Sequence, residues 1–177
     1  MTAMFDGQPP ATGLPVQGLP AVLPSHCTLL LLGSLPGRAS LAAASYYAHP
    51  RNQFWQLMEL VTGEALAAQD YPTRLSRLGA RGVGLWDVIA SARRASSLDS
   101  DIRDAATNPL MPLLETLPDL RAIACNGALA AKTAARLLHE TALPVIALPS
   151  SSPAYTRSLA DKAREWQVLR AHLLPPD

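Results

Sequence analysis

Short apolar runs that end in turn residues recur along the chain and predict buried strands. The runs span Thr28–Gly33, Gly82–Trp86, Arg121–Cys125 and Val145–Leu148. A continuous apolar run bounded by turn residues is typical of a strand that is buried on both faces, as in a parallel sheet. The pattern therefore predicts a sheet whose strands are all covered by other elements.

Apolar residues at helical spacing separate these runs. Helices are predicted from Asn52 to Gly63, from Tyr71 to Gly79, from Asn108 through Leu117, from Ala128 to Glu140 and from Arg157 to Leu173. Because strands alternate with helices, the predicted fold class is α/β, a three-layer α/β/α arrangement around a short, mostly parallel four-stranded sheet. The segment Ala92–Asp104 is predicted to be a polar, arginine-bearing loop.

Composition changes near residue 24 and suggests how the chain is organised. Residues 1–24 contain five of the prolines and several glycines, which predicts an irregular or extended arm. Residues 25–177 are predicted to form one domain. The chain has 177 residues, of which 49% are hydrophobic and 16% charged, and this is typical of a globular protein with a real core.

Charge and cysteine usage narrow the function classes. The net charge is +1, so a DNA partner would have to be bound through a local contact that neutralises few phosphates. Cys27 and Cys125 lie far apart without metal-ligand spacing, so no metal and no cofactor is predicted. No signal peptide pattern and no apolar stretch near the roughly 20 residues of a membrane span are found, which predicts a cytoplasmic protein without membrane association.

Each predicted strand is followed by a polar segment, and these segments predict one shared site. They are Ser34–Gly37, Asp87 and the residues after it, Asn126–Gly127, and Ser150–Pro153. Ligands of open α/β sheets bind just outside the carboxyl ends of the strands. Four polar strand ends on one rim are better explained by a single binding site than by separate accidents.

The residue types on this rim restrict the chemistry. The chain contains no GxSxG nucleophile and no GxxxxGK phosphate loop, and Asp70, Asp87, Asp99 and Asp101 form no obvious carboxylate pair. The rim is expected to offer amides and hydroxyls instead, without a carboxylate or a metal. Neutral amides can orient a water and recognise a base edge. Such groups suit glycosidic cleavage, in which donors stabilise the charge carried away by the base.

Several motifs carry a resemblance to a known family. The segment YYAHPRNQFW at residues 46–55, GSLPG at residues 33–37, WDVIASARRASSLDSDI at residues 86–102 and PSSSPAYT at residues 149–156 together resemble the uracil-DNA glycosylase superfamily. The likeness is strongest to its hypoxanthine-DNA (deoxyinosine) glycosylases and spans roughly Leu29–Leu173. The HPxNxFW part is also similar to the mismatch-specific uracil glycosylases.

The resemblance implies which asparagines act. Other families place a water-activating Asp or Asn where this chain has Leu35, and a histidine opposite Ser150. The hypoxanthine family resembles this chain in both losses, and its functional asparagines match Asn52 and Asn126. Asn52 is thus expected to position the attacking water or stabilise the cation-like sugar. Asn126 is expected to read O6 and N1–H of hypoxanthine.

The same resemblance implies the other contacts to damaged DNA with a flipped nucleotide. Tyr46 or Phe54 is expected to stack on the extruded base, and Tyr155 to act as a wedge in the vacated stack. The remaining base contacts are expected from Gly33, Ser34, Leu35, Pro36, Gly37, His49 and Ser150, and the backbone contacts from Ser151, Ser152, Pro153, Arg93 and Arg94. No partner subunit is implied, so a monomer is expected.

Other interpretations of the same residues remain open. Asn52 and Asn126 could each cap a helix, Ser150–Ser152 could be an ordinary turn, and Arg93 and Arg94 could be a solvated pair. The same fold could excise uracil or xanthine, and Leu35 is also consistent with a non-catalytic binder of DNA lesions. A small-molecule Rossmann-like protein is a further alternative, although the chain has no phosphate loop.

Overall fold

The computed structural model describes residues 13–176 and contains two sheets. The strands are β1 Leu14–Gln17, β2 Leu29–Gly33, β3 Val83–Asp87, β4 Ile89–Arg94, β5 Ile102–Thr107, β6 Ala122–Asn126 and β7 Val145–Leu148. The α-helices are α1 Arg38–Ala43, α2 Phe54–Thr62, α3 Tyr71–Ala80, α4 Leu110–Leu114, α5 Ala128–Leu137 and α6 Leu159–Trp166, and short 3-10 helices cover Asp99–Asp101 and Gln167–His172.

The central sheet is parallel, as the apolar runs predict. Its strands lie in the order β3-β2-β6-β7, with β2 paired in parallel to both β3 and β6. All five residues of β2 are buried, and so are all five of β6. The predicted α/β class and the four-stranded parallel sheet are therefore confirmed.

Alternate residues of β2 face two separate cores. Leu29 and Leu31 belong to a cluster with residues of α2 and α6, including Phe54 and Trp166. Leu30 and Leu32 belong to a second cluster with residues of α4 and α5. Successive side chains of a strand point to opposite faces, so this division places helices on both sides of the sheet and completes the three layers.

A second, antiparallel sheet replaces the predicted polar loop at Ala92–Asp104, and that prediction is wrong. Strands β1, β4 and β5 pair in the order β1-β4-β5, with residues 95–101 as the turn between β4 and β5. Only Val88 separates β3 from β4. The N–H groups of Val88 and Ile89 donate to the carbonyls of Gly33 and Ser34, and these bonds lead the chain from one sheet to the other.

Residues 13–24 of the predicted arm are in contact with both sheets. Strand β1 pairs with β4, and Val22 forms an isolated bridge to Leu85 in β3. Residues 1–12 lie outside the described residues, so the structure does not test the predicted arm there. How the chain divides into an arm and a domain stays a prediction.

Several helix ends differ from the predicted bounds for local reasons. The helix predicted from Asn52 begins at Phe54, and the one predicted to Leu173 leaves α-geometry after Trp166 and continues as a 3-10 helix. Helix α1 is not predicted from the sequence at all, since its six residues lack an apolar stripe. Among the described residues no helix is long and apolar enough to cross a membrane.

Candidate active site

A cavity of about 560 Å³ lies at the carboxyl ends of the parallel strands, where the polar segments meet. This size falls within the usual range of small-molecule sites. Of the predicted site residues, the cavity wall contains Gly33, Ser34, Leu35, Pro36, Gly37, Tyr46, His49, Asn52, Asn126, Ser150, Ser151, Ser152, Pro153 and Tyr155. The structure therefore brings both asparagines and all four polar strand ends to one cavity.

The Ser34–Gly37 loop is held in place by the antiparallel hairpin. Arg94 donates to the carbonyl oxygen of Pro36 at 2.6 Å, and Ser34 Oγ donates to Asp99 Oδ1 at 2.6 Å. The turn of the hairpin thereby lies against the cavity and adds Ser97, Leu98 and Asp99 to its wall. These residues were not predicted, since the segment reads as a polar loop and gives no signal of where it folds.

Asn52 lies in the turn that precedes α2. Its side-chain oxygen accepts a hydrogen bond from the Phe54 N–H at 2.9 Å, so this end of the amide is fixed. The NH₂ group is then the end that remains to donate to a ligand. The neighbouring Gln53 N–H donates to Ser151 O at 3.0 Å. This bond ties the segment around Asn52 to residues 149–156, which we call the second-motif loop.

Asn126 is buried, and both ends of its side-chain amide are hydrogen-bonded to Ser151. Its Nδ2 donates to Ser151 Oγ at 2.8 Å, and its Oδ1 accepts from the Ser151 N–H at 2.8 Å. An amide has two N–H donors and two acceptor lone pairs, so one of each remains for a ligand. Gly127, which follows, has φ +100° and would bring a Cβ to 3.2 Å from Ser150, so this turn requires glycine.

Asp87 is a buried carboxyl in the cavity wall. It is 4% exposed, and its Oδ2 is buried without a hydrogen-bond partner among the described residues. Desolvation, with the nearby Asp99 charge, raises the pKa of Asp87 to about 7, and Arg94 opposes the shift. The chain makes room for this carboxyl at Gly33, where a Cβ would lie 2.5 Å from Asp87 Oδ1.

The expectation that the rim offers only amides and hydroxyls is therefore wrong. Asp87 and Asp99 both line the cavity, one from the end of β3 and one from the β4–β5 turn. The sequence predicts that Asp87 lies on this rim at the end of a strand, but it gives no signal that the carboxyl is buried. Asp99 could not be placed there, because the β4–β5 hairpin that positions it is predicted to be a loop.

Phe54 does not reach the cavity, which contradicts its predicted stacking role. Its side chain is fully buried, and its ring stacks on Tyr47 with centroids 3.8 Å apart and planes 14° apart. Tyr47 lies in the cavity wall instead. The position of Phe54 at the start of α2 turns its ring into the core. Tyr46 does line the cavity, and its hydroxyl donates to Pro20 O at 2.9 Å.

Arg94 is not placed to contact DNA. Its side chain is 4% exposed, and it donates to Pro36 O instead of facing solvent. Arg93, on the opposite face of β4, is half-buried and lies outside the cavity wall. The alternation of a strand explains why two adjacent arginines have such different surroundings.

The second-motif loop is supported by a buried lysine that the sequence analysis missed. Lys162 is 1% exposed, and its ammonium group lies 3.3 Å from Ser152 O and 5.5 Å from the centre of the Tyr155 ring. It stands on α6 among charged residues, so its sequence context gives no signal of burial. Residues 13–176 hold no cluster of three or more His, Cys, Asp or Glu that could bind a metal ion.

Comparison with known proteins agrees with this geometry. A family model described as the uracil DNA glycosylase superfamily matches residues 20–172. A relative from Methanosarcina acetivorans named hypoxanthine DNA glycosylase is 37% identical over 156 residues, which are 88% of this chain and 98% of the relative. A protein of the same name from Methanosarcina barkeri is 35% identical over 150 residues, 85% of this chain and 94% of its own.

A solved structure has the same fold. It is a solution NMR structure described as a uracil DNA glycosylase from Methanosarcina acetivorans, with a TM-score of 0.81 and 36% sequence identity. The match covers 90% of this chain and 98% of the other. Fold, motifs and cavity agree with the family match over most of the chain, and the protein belongs to the uracil DNA glycosylase superfamily.

Proposed function

We propose that the protein is a monofunctional DNA glycosylase that hydrolyses the N-glycosidic bond of deoxyinosine and releases hypoxanthine. The observation that carries the proposal is the single cavity at the strand ends, whose wall contains both Asn52 and Asn126. The two relatives named hypoxanthine DNA glycosylase support the choice of base. No lysine stands in the cavity wall among the described residues, so the proposal includes no Schiff-base lyase step.

The substrate would enter as a flipped nucleotide. A base inside a duplex cannot reach a cavity, so the nucleotide must be extruded at a cost of a few kcal/mol, which is smaller at a mispair. Tyr155 is 43% exposed at the cavity wall, and its proposed role is to fill the vacated stack. Ser152 would bind an adjacent phosphate. Ser151 is 1% exposed and is hydrogen-bonded to both ends of the Asn126 amide, so it would position that asparagine instead of contacting DNA as predicted. The protein would act as a monomer in the cytoplasm.

Asn52 would act on the sugar side of the bond. In glycosidic cleavage the sugar becomes cation-like as the base departs, and a water adds to C1′. The free NH₂ end of Asn52 would orient that water or its hydrogen-bond network, while the bond from Phe54 to its oxygen holds the amide. His49, which lines the same wall, would contact the nucleotide without serving as the base.

Asn126 would recognise the base. After its two bonds to Ser151, it keeps one N–H for O6 and one lone pair for N1–H of hypoxanthine. Backbone N–H groups of the Ser34–Gly37 loop would stabilise the negative charge that develops on the base while the bond breaks. Uracil presents a similar edge, and the solved relative is described as a uracil DNA glycosylase, so uracil is the second candidate base.

The test is excision from oligonucleotides that contain deoxyinosine, deoxyxanthosine or deoxyuridine, read as strand nicks after alkali. The wild type is expected to act on deoxyinosine, and Asn52→Ala is expected to reduce single-turnover excision by about 100-fold or more. Binding without nicking on all three substrates would reject the enzyme proposal in favour of a lesion binder.

Matched variants separate chemistry from folding. Asn52→Ser keeps an oxygen that can accept from the Phe54 N–H, so it should retain stability and still lose excision. Gln56→Ala removes an exposed amide from α2 outside the cavity and should leave excision unchanged. A wild-type excision rate for both Asn52 variants would remove Asn52 from the mechanism.

A further inference from the structure

Two oxygen atoms deep in the cavity wall have hydrogen-bonding capacity that the protein does not use. Asp87 Oδ2 and the hydroxyl of Tyr47 are both buried without a partner among the described residues. A Cβ at Gly33 would lie 2.5 Å from Asp87 Oδ1 and 3.1 Å from the Tyr47 hydroxyl, so the two side chains converge on the same place. Buried polar groups are normally satisfied, so these two point to a ligand group.

The depth of these groups indicates which part of a nucleotide they meet. Asp87 and Asn126 are 4% and 8% exposed, whereas His49, also in the wall, belongs to the exposed class. A flipped nucleotide enters base first, since its sugar remains joined to the DNA strand at the mouth. The deepest groups therefore face the base, and the groups near the mouth face the sugar.

We propose that Asp87 is a catalytic general acid that donates its proton to a ring nitrogen of the departing purine. The inference rests on the proposed glycosylase function and adds a residue to it. Tyr47 is placed beside this carboxyl to complete the contact with the base. The substrate class that follows is a purine with an unprotonated ring nitrogen opposite the Asp87 carboxyl, such as N7 or N3 of hypoxanthine.

The proposed step balances in protons and electrons. The O–H bond of Asp87 breaks and an N–H bond forms on the purine, while the N9–C1′ bond breaks and its electron pair goes to the base. The base leaves neutral. Water adds its oxygen to C1′ and loses one proton, which returns to the Asp87 carboxylate through solvent and restores the starting state.

The surroundings of Asp87 raise its pKa, so that the carboxyl can carry the proton that it would donate. Burial raises its pKa to about 7, so near neutral pH a large fraction of the carboxyl carries the proton. A general acid works best with a pKa near the operating pH. The charged and titratable groups that interact with it are Asp99, Arg94, Tyr46 and Tyr47. The cavity wall also contains Arg38, Arg51 and His49.

The test is the pH profile of single-turnover excision from an inosine oligonucleotide, between about pH 5 and pH 9. The wild-type rate should fall about tenfold per pH unit once the pH exceeds the pKa of the acid. Asp87→Asn should lose about 100-fold or more at low pH and should no longer depend on pH. Asp104→Asn, an exposed carboxyl outside the cavity, should match the wild type.

Two further measurements make the role of Asp87 specific. Binding to an oligonucleotide with non-cleavable 2′-fluoro-deoxyinosine should change by less than about threefold in Asp87→Asn, since the amide still donates a hydrogen bond and lacks only a proton that it can transfer. His49→Gln is profiled as well, because His49 lines the same cavity, and the pH at which the rate begins to fall should stay that of the wild type.

The outcomes separate this inference from the proposed function. A wild type inactive on all three deaminated bases overturns both. An active wild type whose Asp87→Asn variant keeps the rate or the pH slope overturns the inference alone. If Asp87→Asn does not fold, the wild-type profile still decides, because a flat profile above about pH 7, or one flattened by His49→Gln, overturns the inference.

Discussion

At the residue scale, the cavity wall contains a carboxyl, Asp87, whose burial makes its ionised form less stable. Burial raises the pKa of Asp87 from 3.8 to about 7, so the folded state binds its proton more tightly than the unfolded state does. Its contribution to stability is largest below pH 3.8 and is lost as the pH rises through about 7. Active sites commonly sacrifice stability in this way.

Asp87→Asn is therefore expected to be more stable than the wild type above neutral pH. Between about pH 5 and pH 7 the stability difference between the two should grow in favour of the variant by about 1 kcal/mol per pH unit. Urea unfolding at several pH values measures this difference. A constant difference would show that Asp87 ionises alike in the folded and unfolded states.

A second residue-scale prediction concerns Gly33. Gly33→Ala would place a Cβ 2.5 Å from Asp87 Oδ1, so the carboxyl or the strand end must move. We expect destabilisation of about 1–3 kcal/mol together with a large loss of excision. Gly63→Ala has open space around its Cβ but a φ of +77°, so it should affect stability through backbone strain and leave excision unchanged. Equal excision by Gly33→Ala and the wild type would contradict the crowding argument.

At the scale of elements, the β4–β5 hairpin holds the Ser34–Gly37 loop in place. The bond from buried Arg94 to Pro36 O and the bond from Ser34 to Asp99 both join the hairpin to that loop. Arg38 of α1 adds a third link through its bond to Ala95 O. The loop thus owes its shape to a part of the chain some 60 residues away, as the separation of 58 between Arg94 and Pro36 shows.

Arg94→Met is expected to loosen this loop. It removes a charged donor from a buried carbonyl, so the free energy of unfolding should fall by about 1–3 kcal/mol and excision should slow. Arg93→Met is the matched control for stability, because its side chain lies on the other face of β4, and it should change stability by less than about 0.5 kcal/mol. Thermal unfolding of both variants measures the contrast, and equal effects would contradict the bracing role of Arg94.

At the scale of the whole molecule, the near-neutral charge limits how DNA is held. The net charge is +1, and the cavity wall holds only two arginines among the described residues, Arg38 and Arg51. Each phosphate neutralised contributes about −0.9 to the slope of log K against log salt for duplex DNA. Few phosphates can therefore contribute to affinity, and under the proposed function the flipped base would supply much of it.

The salt dependence of binding should accordingly be shallow. Fluorescence anisotropy with a 2′-fluoro-deoxyinosine duplex is expected to show a slope of about −2 to −4 between low and moderate salt. An undamaged duplex of the same sequence is the control and should bind much more weakly at every salt concentration. A slope steeper than about −6 would indicate a broad electrostatic interface instead.

The local pattern of the chain determined the central sheet and the meeting of its polar ends. Runs such as Leu29–Gly33 are apolar at every position, which only a strand covered on both faces requires. Parallel strands end on one edge, so Asn126 and Ser150 could be placed together from the sequence. Asn52 could be placed there only through the family motif, since its own segment is compatible with a simple helix cap.

Tertiary structure alone decided the rest of the site. Strands β4 and β5 contain many polar and charged residues. They become strands because they pair with each other and because β4 also pairs with β1, which lies far away in the chain. Whether Phe54 or Tyr47 faces the cavity depends on packing against the core, which periodicity does not resolve. The raised pKa of Asp87 likewise comes from its burial beside Gly33 and not from its neighbours in sequence, because desolvation is a property of the folded state.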